Sequence, residues 1–294
     1  MRLKTKWLIL LTFMCIFSML FSLDVTIIHT SNIYGTVFPY NYFTDYYENM
    51  GLAVIYNYIN SLRKTNSNIL VIDTGNMFYG SPYGDFSVEN DNEPVAEAFK
   101  MIGYDAFVPG TFELNLGKKF LSSIPKKINT PVLASNISDL PNIKSYVIKK
   151  LPNGIKVGII GVTPNVGDFK FRDLISSVKE SINEVKKQGV NLIVVAASGG
   201  LTKDPISNQT FTMKSNLNIG DVLVKEFSKD VDVFLFGNLP IAYSSQKLNK
   251  VYSLLGNSGK SVNKIEITFE KVKNSTKLTN SKIQNVSMKT INPS

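Results

Sequence analysis

The spacing of apolar residues alternates between two periods along the chain, and this predicts an alternation of strands and helices. Short apolar runs, which are typical of buried strands, occur at residues 24–30, 68–73, 190–196 and 232–236. Apolar residues three or four positions apart predict amphipathic helices at residues 51–64, 93–102 and 172–187. Gly103 and Gly189 follow the second and third of these helices, where glycine commonly ends a helix. The pattern as a whole predicts an α/β fold.

Three further stretches complete this prediction. Pro152-Asn153-Gly154 separates the apolar stretches 145–151 and 155–162, which predicts a β-hairpin because Asn-Gly favours the tight turns that join antiparallel strands. Residues 104–109 predict a short strand that leads into Gly110. Residues 273–294, rich in Lys, Ser, Thr and Asn, predict either an edge strand or a loose tail.

The first 22 residues have the pattern of an export signal. Arg2, Lys4 and Lys6 precede an unbroken run of low polarity at residues 7–21, which is short for a membrane span. Ser22 suits the end of a signal peptide, but the bulky Leu20 two positions earlier does not. Residues 1–22 are therefore predicted to be a signal peptide or an uncleaved membrane anchor, with a core helix as the alternative.

Composition narrows the classes of function. The 294 residues are 44% hydrophobic and 19% charged, which suits one α/β domain. The net charge of +9 suits either an anionic partner or a solvated lysine surface. No dense basic run with interleaved aromatic residues occurs, so specific nucleic-acid binding is not expected. Cys15 and His29 are the single cysteine and histidine of the chain, which excludes an intramolecular disulfide and a thiolate metal cluster.

Polar loops that contain glycine or proline follow the predicted strands. Their sequences are Ser31-Asn32-Ile33-Tyr34-Gly35, Thr74-Gly75-Asn76 with Gly80-Ser81-Pro82, Gly110-Thr111-Phe112-Glu113, Ala197-Ser198-Gly199-Gly200 and Gly237-Asn238-Leu239-Pro240. In order and spacing, these five stretches resemble the motifs of the calcineurin-like metallophosphoesterase superfamily, in particular its exported 5'-nucleotidase and 2',3'-cyclic phosphodiesterase branch. Residues 131–137 also resemble a structural segment of that branch.

The resemblance implies an architecture and domain limits. It implies a two-sheet α/β sandwich flanked by helices over residues 24–272, with the ligand loops at the strand ends, and it favours a strand for residues 273–294. Relatives commonly continue into a second domain that stacks the nucleoside on aromatic side chains. No such C-terminal nucleotide-binding domain is expected here.

The resemblance also assigns the two-metal site of the family to positions that have lost their ligand types. The seven metal-ligand positions are Asn32, Tyr34, Asn76, Thr111, Ala197, Asn238 and Pro240. The acid–base pair of the family falls at Phe112 and Asn115, and neither side chain titrates. His29 corresponds to the leading histidine of the family's first motif, to which the resemblance assigns no role as a metal ligand. We expect His29 to be a hydrogen-bonded residue at a strand end. Neutral amides hold hard divalent cations weakly, so neither a metal ion nor another cofactor is expected.

The prediction is therefore a catalytically inactive, exported binding or scaffolding module of the periplasm or cell envelope. The vestigial pocket would comprise Asn32, Tyr34, Asp73, Asn76, Thr111, Glu113, Ala197, Ser198, Asn238 and Pro240. Its polar groups either cap loops and helix ends or form a neutral hydrogen-bonding site. An anionic envelope component, a polar small molecule and a protein remain open as partners. The alternative is a weak phosphoesterase that uses Asp73, Glu113 and amide ligands with Mn or Mg.

Overall fold

Two β-sheets pack face to face, and helices cover both outer surfaces. The computed structural model describes residues 22–42, 44–91, 93–256, 258–272 and 275–291; the apolar run 7–21, predicted to be a signal or anchor, lies outside them. The strands are β1 Ser22–Thr30, β2 Tyr40–Asn41, β3 Tyr46–Tyr47, β4 Ile69–Asp73, β5 Ala106–Phe107, β6 Tyr146–Lys150, β7 Lys156–Val162, β8 Leu192–Ala197, β9 Val233–Phe236, β10 Tyr243–Lys247, β11 Lys250–Leu254, β12 Ser261–Val272 and β13 Ser275–Ser287. The helices are α1 Gly51–Arg63, α2 Pro82–Glu89, α3 Glu93–Ile102, α4 Thr111–Asn115, α5 Gly117–Ile128, α6 Leu174–Lys187 and α7 Gly220–Phe227.

The strand order brings the loops of both sheets together. The first sheet has the order β13-β12-β1-β4-β5, in which β1, β4 and β5 run parallel. The second has the order β10-β11-β9-β8-β7-β6, in which β11, β9, β8 and β7 run parallel. Because loops that follow parallel strands emerge at one edge of a sheet, this topology gathers the polar loops identified in the sequence.

Three apolar clusters hold the two sheets and the outer helices together. One lies between the sheets and includes Ile27, Ile72, Val194 and Leu235. The second joins the outer face of the first sheet to helices α1, α3 and α5, and the third joins the second sheet to α6 and α7. Each fully buried aliphatic side chain contributes roughly 1.5–3 kcal/mol relative to an exposed one, so these clusters supply most of the driving force for folding.

Most predicted elements are present, and the differences have local causes. The hairpin around Pro152-Asn153-Gly154 joins the antiparallel strands β6 and β7, as predicted. The strand predicted at 104–109 is only two residues long, because the backbone beyond Phe107 turns into the loop that carries Gly110. The prediction did not include helices α2, α4, α5 and α7. Pro125 lies inside α5, and proline usually breaks a helix. Residues 275–287 form the edge strand β13, one of the two alternatives that the sequence left open. Within the described ranges, no helix is both long and apolar enough to span a membrane.

Candidate functional site

Four polar side chains meet where the loops of the two sheets converge. Asn32 follows β1, Asn76 follows β4, Thr111 begins α4 beyond β5, and Asn238 follows β9. Asn32, Asn76 and Thr111 are buried, whereas Asn238 is partly exposed. Residues up to 206 positions apart in the sequence are therefore brought into hydrogen-bonding distance.

The three asparagines share an unusual backbone conformation. Their φ angles are 53° at Asn32, 54° at Asn76 and 63° at Asn238, all in the left-handed region. Asparagine tolerates this region better than most residues because its short polar side chain can bond locally. Tyr34 has a φ of 57°, which is unfavourable for a bulky side chain. The loops thus combine sharp turns with side chains that point at one another.

Asn76 is the centre of this group. Its Nδ2 donates to Asn32 Oδ1 at 3.0 Å and to Asn238 Oδ1 at 3.2 Å. Its Oδ1 accepts from the backbone N–H of Phe112 at 3.0 Å and from Thr111 Oγ1 at 3.3 Å. Both donors and both lone pairs of the Asn76 amide are engaged within the protein.

The remaining contacts close the network. Asn32 Oδ1 also accepts from the backbone N–H of Asn238 at 3.3 Å, and Asn32 Nδ2 donates to the carbonyl oxygen of Leu239 at 3.2 Å. Thr111 Oγ1 lies 3.2 Å from Asn238 Oδ1. We call Asn32, Asn76, Thr111 and Asn238 the amide network. Its amide oxygens point at protein donors, which fixes the loops of the two sheets relative to one another.

Glu113 is a fully buried carboxyl group beside the amide network. Its carboxyl oxygens accept four backbone N–H bonds, from Gly110 at 2.7 Å, Asn76 and Met77 at 2.8 Å, and Phe78 at 3.1 Å. Burial raises the pKa of Glu113 above its ordinary value, while the four donors act in the opposite direction. The side chain therefore holds the loop after β4 against the start of α4.

Asp73 is the second buried carboxyl group in this region. Its Oδ2 accepts from Thr30 Oγ1 at 2.6 Å, and its Oδ1 accepts from the backbone N–H of Gly75 at 2.7 Å. Burial raises the pKa of Asp73 well above its ordinary value, and these two hydrogen bonds only partly oppose that effect. Both of its oxygens thus bond to groups at the ends of β1 and β4.

Comparison with known proteins gives this site a context. The chain is 27% identical over 215 residues to the trifunctional nucleotide phosphoesterase protein YfkN of Bacillus subtilis, a match that covers 63% of this chain and 15% of YfkN. It is 26% identical over 212 residues to a 2',3'-cyclic-nucleotide 2'-phosphodiesterase/3'-nucleotidase of Salmonella typhimurium, covering 63% of this chain and 33% of the relative. The crystal structure of the calcineurin-like phosphoesterase YfkN superposes with a TM-score of 0.75 at 24% identity, covering 91% of each chain.

These relatives and structural neighbours are members of the calcineurin-like phosphoesterase and 5'-nucleotidase family, which the chain resembles in sequence and in fold. The two-sheet α/β sandwich predicted from the sequence is confirmed. No protein-family model matches the chain. The chain spans a third or less of the length of these two curated relatives.

A metallophosphoesterase centre of the two-metal type needs carboxylate and imidazole donors that converge on two ions. The amide network offers three amide groups and one hydroxyl group instead. In the part of the chain that the structure describes, no group of three or more His, Cys, Asp or Glu side chains could hold a metal ion. The donors present do not fit a two-metal centre.

The structure corrects one residue of the predicted pocket. Ala197, assigned to a metal-ligand position by the resemblance, packs in the outer core beneath α6 and α7. Side chains alternate along β8, so the next residue, Ser198, points to the opposite face. A methyl group on Gly75 would lie 2.7 Å from Ser198 Oγ, which places this hydroxyl against the loop after β4. Ser198 Oγ is buried and has no hydrogen-bond partner among the residues that the structure describes.

The other predicted residues lie around the amide network. The ring centroids of Tyr34 and Phe112 are 5.5 Å apart, next to the network. Pro240 is exposed directly after Leu239, and Asn115 is exposed at the end of α4. The positions assigned to an acid–base pair thus carry one aromatic ring within a cluster of rings and one surface amide.

His29 is a buried, hydrogen-bonded residue of strand β1, as predicted. Its Nδ1 lies 2.7 Å from Ser253 Oγ, and its Nε2 lies 2.9 Å from Thr74 Oγ1. Burial lowers the pKa of His29 to about 3, so the imidazole is neutral at physiological pH. Because the ring is fully buried, it has no access to a substrate.

A cleft beside the amide network was not predicted. It has a volume of about 430 Å³ and is lined by Tyr34, Thr36, Tyr40, Asn41, Tyr42, Met50, Tyr79, Gly80, Ser81, Asp85, Phe112, Ser258 and Lys260. Two of the tyrosines belong to the segment that carries the small hairpin β2–β3. The sequence feature that could have indicated this cleft is the density of aromatic residues in that segment, which has six between positions 38 and 47.

Proposed function

We propose that this chain is an exported protein of the metallophosphoesterase superfamily that does not catalyse metal-dependent phosphoester hydrolysis and acts as a binding or scaffolding module of the cell envelope. The amide network supports the proposal most directly. Asn32, Asn76 and Asn238 direct their amide groups at one another and at neighbouring protein groups. A cation at this position would have to break those bonds and would gain only neutral ligands.

The alternative reading is a weak phosphoesterase that recruits Asp73 and Glu113 as metal ligands. Glu113 accepts four backbone N–H bonds, and the oxygens of Asp73 accept hydrogen bonds from Thr30 at the end of β1 and from Gly75 in the loop after β4. Metal coordination by Glu113 would leave buried backbone donors without partners, at a cost of roughly 1–3 kcal/mol each, and coordination by Asp73 would compete with its bonds to Thr30 Oγ1 and the backbone N–H of Gly75. This cost favours the non-catalytic proposal.

The charge balance of the site also supports the non-catalytic proposal. A two-metal centre balances the charge of its carboxylates, and without the ions these carboxylates would repel one another in a buried site. Amides at positions 32 and 76 avoid this repulsion and supply both donors and acceptors. The amide network is thus a stable arrangement in the absence of metal.

The test is metal analysis combined with a phosphodiesterase assay on the full chain. Purified protein incubated with Mn²⁺ or Mg²⁺ and then desalted should retain substoichiometric metal and should not hydrolyse a chromogenic phosphodiester above background. The corresponding region of YfkN is the positive control. Loss of one electrostatic donor commonly lowers a rate by about 10²–10³, so loss of every charged ligand should leave no detectable turnover. Stoichiometric metal, with turnover that an Asp73→Ala substitution abolishes, would instead establish the weak enzyme.

Export is part of the proposal. It rests on the basic residues Arg2, Lys4 and Lys6 before the apolar run 7–21. N-terminal sequencing of protein recovered from the native envelope should show either a start near residue 23 or an intact anchor. Recovery of the intact chain from the cytosol alone would refute export.

A further inference from the structure

We infer that the tyrosine-lined cleft beside the amide network binds neutral saccharide units of a glycan. The inference deepens the proposed function and rests on it, since it names the ligand class of a non-catalytic binding module. The cleft lies outside the amide network, although Tyr34 and Phe112 adjoin both. Its volume of about 430 Å³ is within the range of small-ligand sites.

Two groups of aromatic rings line the cleft. Tyr40 and Tyr42 come from the hairpin segment, and their ring centroids are 5.1 Å apart in an edge-to-face arrangement. Tyr34 and Tyr79 come from the loops after β1 and β4, and Phe112 lies in α4. The ring centroid of Phe112 is 5.5 Å from that of Tyr34 and 5.7 Å from that of Tyr79. The cleft therefore presents five rings in two groups, drawn from four stretches of the chain.

These rings are held in place before any ligand arrives. Tyr40 also packs edge-to-face on Tyr47 at 5.2 Å. A methyl group added at Gly80 would lie 2.8 Å from the ring of Phe112 and 3.0 Å from that of Tyr34, so both rings rest directly on the glycine backbone. Rings with few rotatable bonds and fixed neighbours lose little conformational entropy on binding.

The charges of the cleft disfavour an anionic ligand. Lys260 is the one cationic residue among the described residues that line it, and its Nζ lies 2.9 Å from Glu48 Oε2. The cleft also contains the carboxylate of Asp85, which accepts from the backbone N–H of Gly80 at 3.3 Å. A phosphate group is usually held by charged or converging backbone donors, so a phosphorylated ligand matches this lining poorly.

A saccharide matches the lining well. The face of an aromatic ring carries negative partial charge, and one face of a pyranose presents C–H groups that such a ring attracts. The rim of the sugar carries hydroxyl groups, for which Thr36, Ser81 and Ser258 supply hydroxyl partners in the lining. The exposed fractions of 36% at Tyr42 and 41% at Tyr79 leave ring surface for a ligand.

The test uses the full chain and three variants. A glycan array of neutral oligosaccharides identifies the best binder, and calorimetry then measures its dissociation constant. Tyr42→Ala and Tyr79→Ala should each raise that constant about five- to tenfold, as expected for the loss of one stacking partner. Tyr46→Ala is the matched control, because Tyr46 belongs to the same hairpin, is 72% exposed and does not line the cleft. It should bind like the unsubstituted chain, and all variants should show a single cooperative unfolding transition well above the temperature of the binding assay.

Other outcomes separate this inference from the proposed function. Absence of binding to every neutral oligosaccharide, or an equal loss in Tyr46→Ala and the two cleft variants, overturns the inference. Binding of adenosine, uridine or inorganic phosphate without any saccharide overturns it too, but leaves a non-catalytic binding module in place. Metal-dependent phosphodiester hydrolysis by the unsubstituted chain refutes the proposed function whether or not saccharides bind.

Discussion

Substituting the central amide of the network with a carboxyl group tests whether the amides stabilise the fold. In Asn76→Asp the group that donates to Asn32 Oδ1 and Asn238 Oδ1 becomes an acceptor, so two oxygen atoms face another oxygen at about the present distances of 3.0 Å and 3.2 Å. Position 76 is 2% exposed, so solvent cannot compensate. The substitution is nearly isosteric, and its effect is therefore electrostatic.

The magnitude depends on pH. Two hydrogen bonds contribute a net ~1 kcal/mol each, and a protonated carboxyl can still donate one of them, so we expect a loss of about 1–2 kcal/mol near pH 4. At pH 7 the buried carboxyl must either ionise without a countercharge or remain protonated, and the loss should rise to about 3–5 kcal/mol. Burial and the facing oxygens raise the pKa of the new carboxyl in the folded state. The loss of folding free energy caused by this carboxyl is therefore small below its pKa in the unfolded chain and grows as the pH rises towards its pKa in the folded protein.

The assay is urea unfolding at pH 4 and pH 7, which compares the free energy of unfolding of Asn76→Asp with that of the unsubstituted chain. Asn208→Asp is the matched control, because Asn208 has a φ of 62° but is exposed. It should change the free energy of unfolding by less than about 0.5 kcal/mol, as surface substitutions usually do. Equal losses in the two variants, or a loss at position 76 that does not grow with pH, would refute the stabilising role of the network.

Three further predictions concern residues around the site. In urea unfolding, Glu113→Gln should lower the free energy of unfolding by about 2–4 kcal/mol, because one amide oxygen cannot accept the four backbone N–H bonds. A change below about 0.5 kcal/mol would contradict the role given to the Glu113 carboxylate. The single imidazole should show no NMR titration near pH 6.5, since the pKa of His29 is about 3. A folded-state pKa below the unfolded value costs stability as the pH falls, so the free energy of unfolding should decrease by about 2 kcal/mol between pH 6.5 and 5. The His29→Asn variant should lack that decrease. Gly110→Ala should destabilise the protein by more than ~3 kcal/mol in thermal unfolding, because the new methyl would lie 2.4 Å from Asn76 Oδ1. The control Gly154→Ala meets no neighbour within 4 Å and should cost only ~1 kcal/mol, for its φ of 89°. Similar losses in the two variants would contradict the steric argument.

Local pattern was sufficient to predict most of the fold. Buried strands such as β4 and β8 are short apolar runs, and helices such as α3 and α6 show apolar residues at helical spacing, so each element could be inferred without its neighbours. The hairpin at Pro152-Asn153-Gly154 was predictable for the same reason, because turn chemistry is local. The order of strands and loops then indicated the superfamily.

Register and side-chain direction needed the tertiary structure. The sequence could not distinguish Ala197 from Ser198 as the residue that faces the site, because a shift of one residue along a strand reverses the face. Helix α5 was not predicted: it contains Pro125, which locally disfavours a helix, whereas in the folded protein Phe120, Leu121 and Ile124 are buried in the apolar cluster on the outer face of the first sheet.

The sequence by itself determined which residue types stand at the strand ends, and therefore that Asn32, Asn76 and Asn238 bring neutral amides to the loops. Only the tertiary structure decided that these amides bond to one another and that Glu113 binds two loops through four backbone donors. It also decided that the hairpin tyrosines meet Tyr79 and Phe112 around one cleft. The physical reason is that hydrogen bonds and ring contacts depend on distances of a few ångströms between residues far apart in the chain. Those distances are set by the packing of the two sheets, which no local sequence pattern encodes.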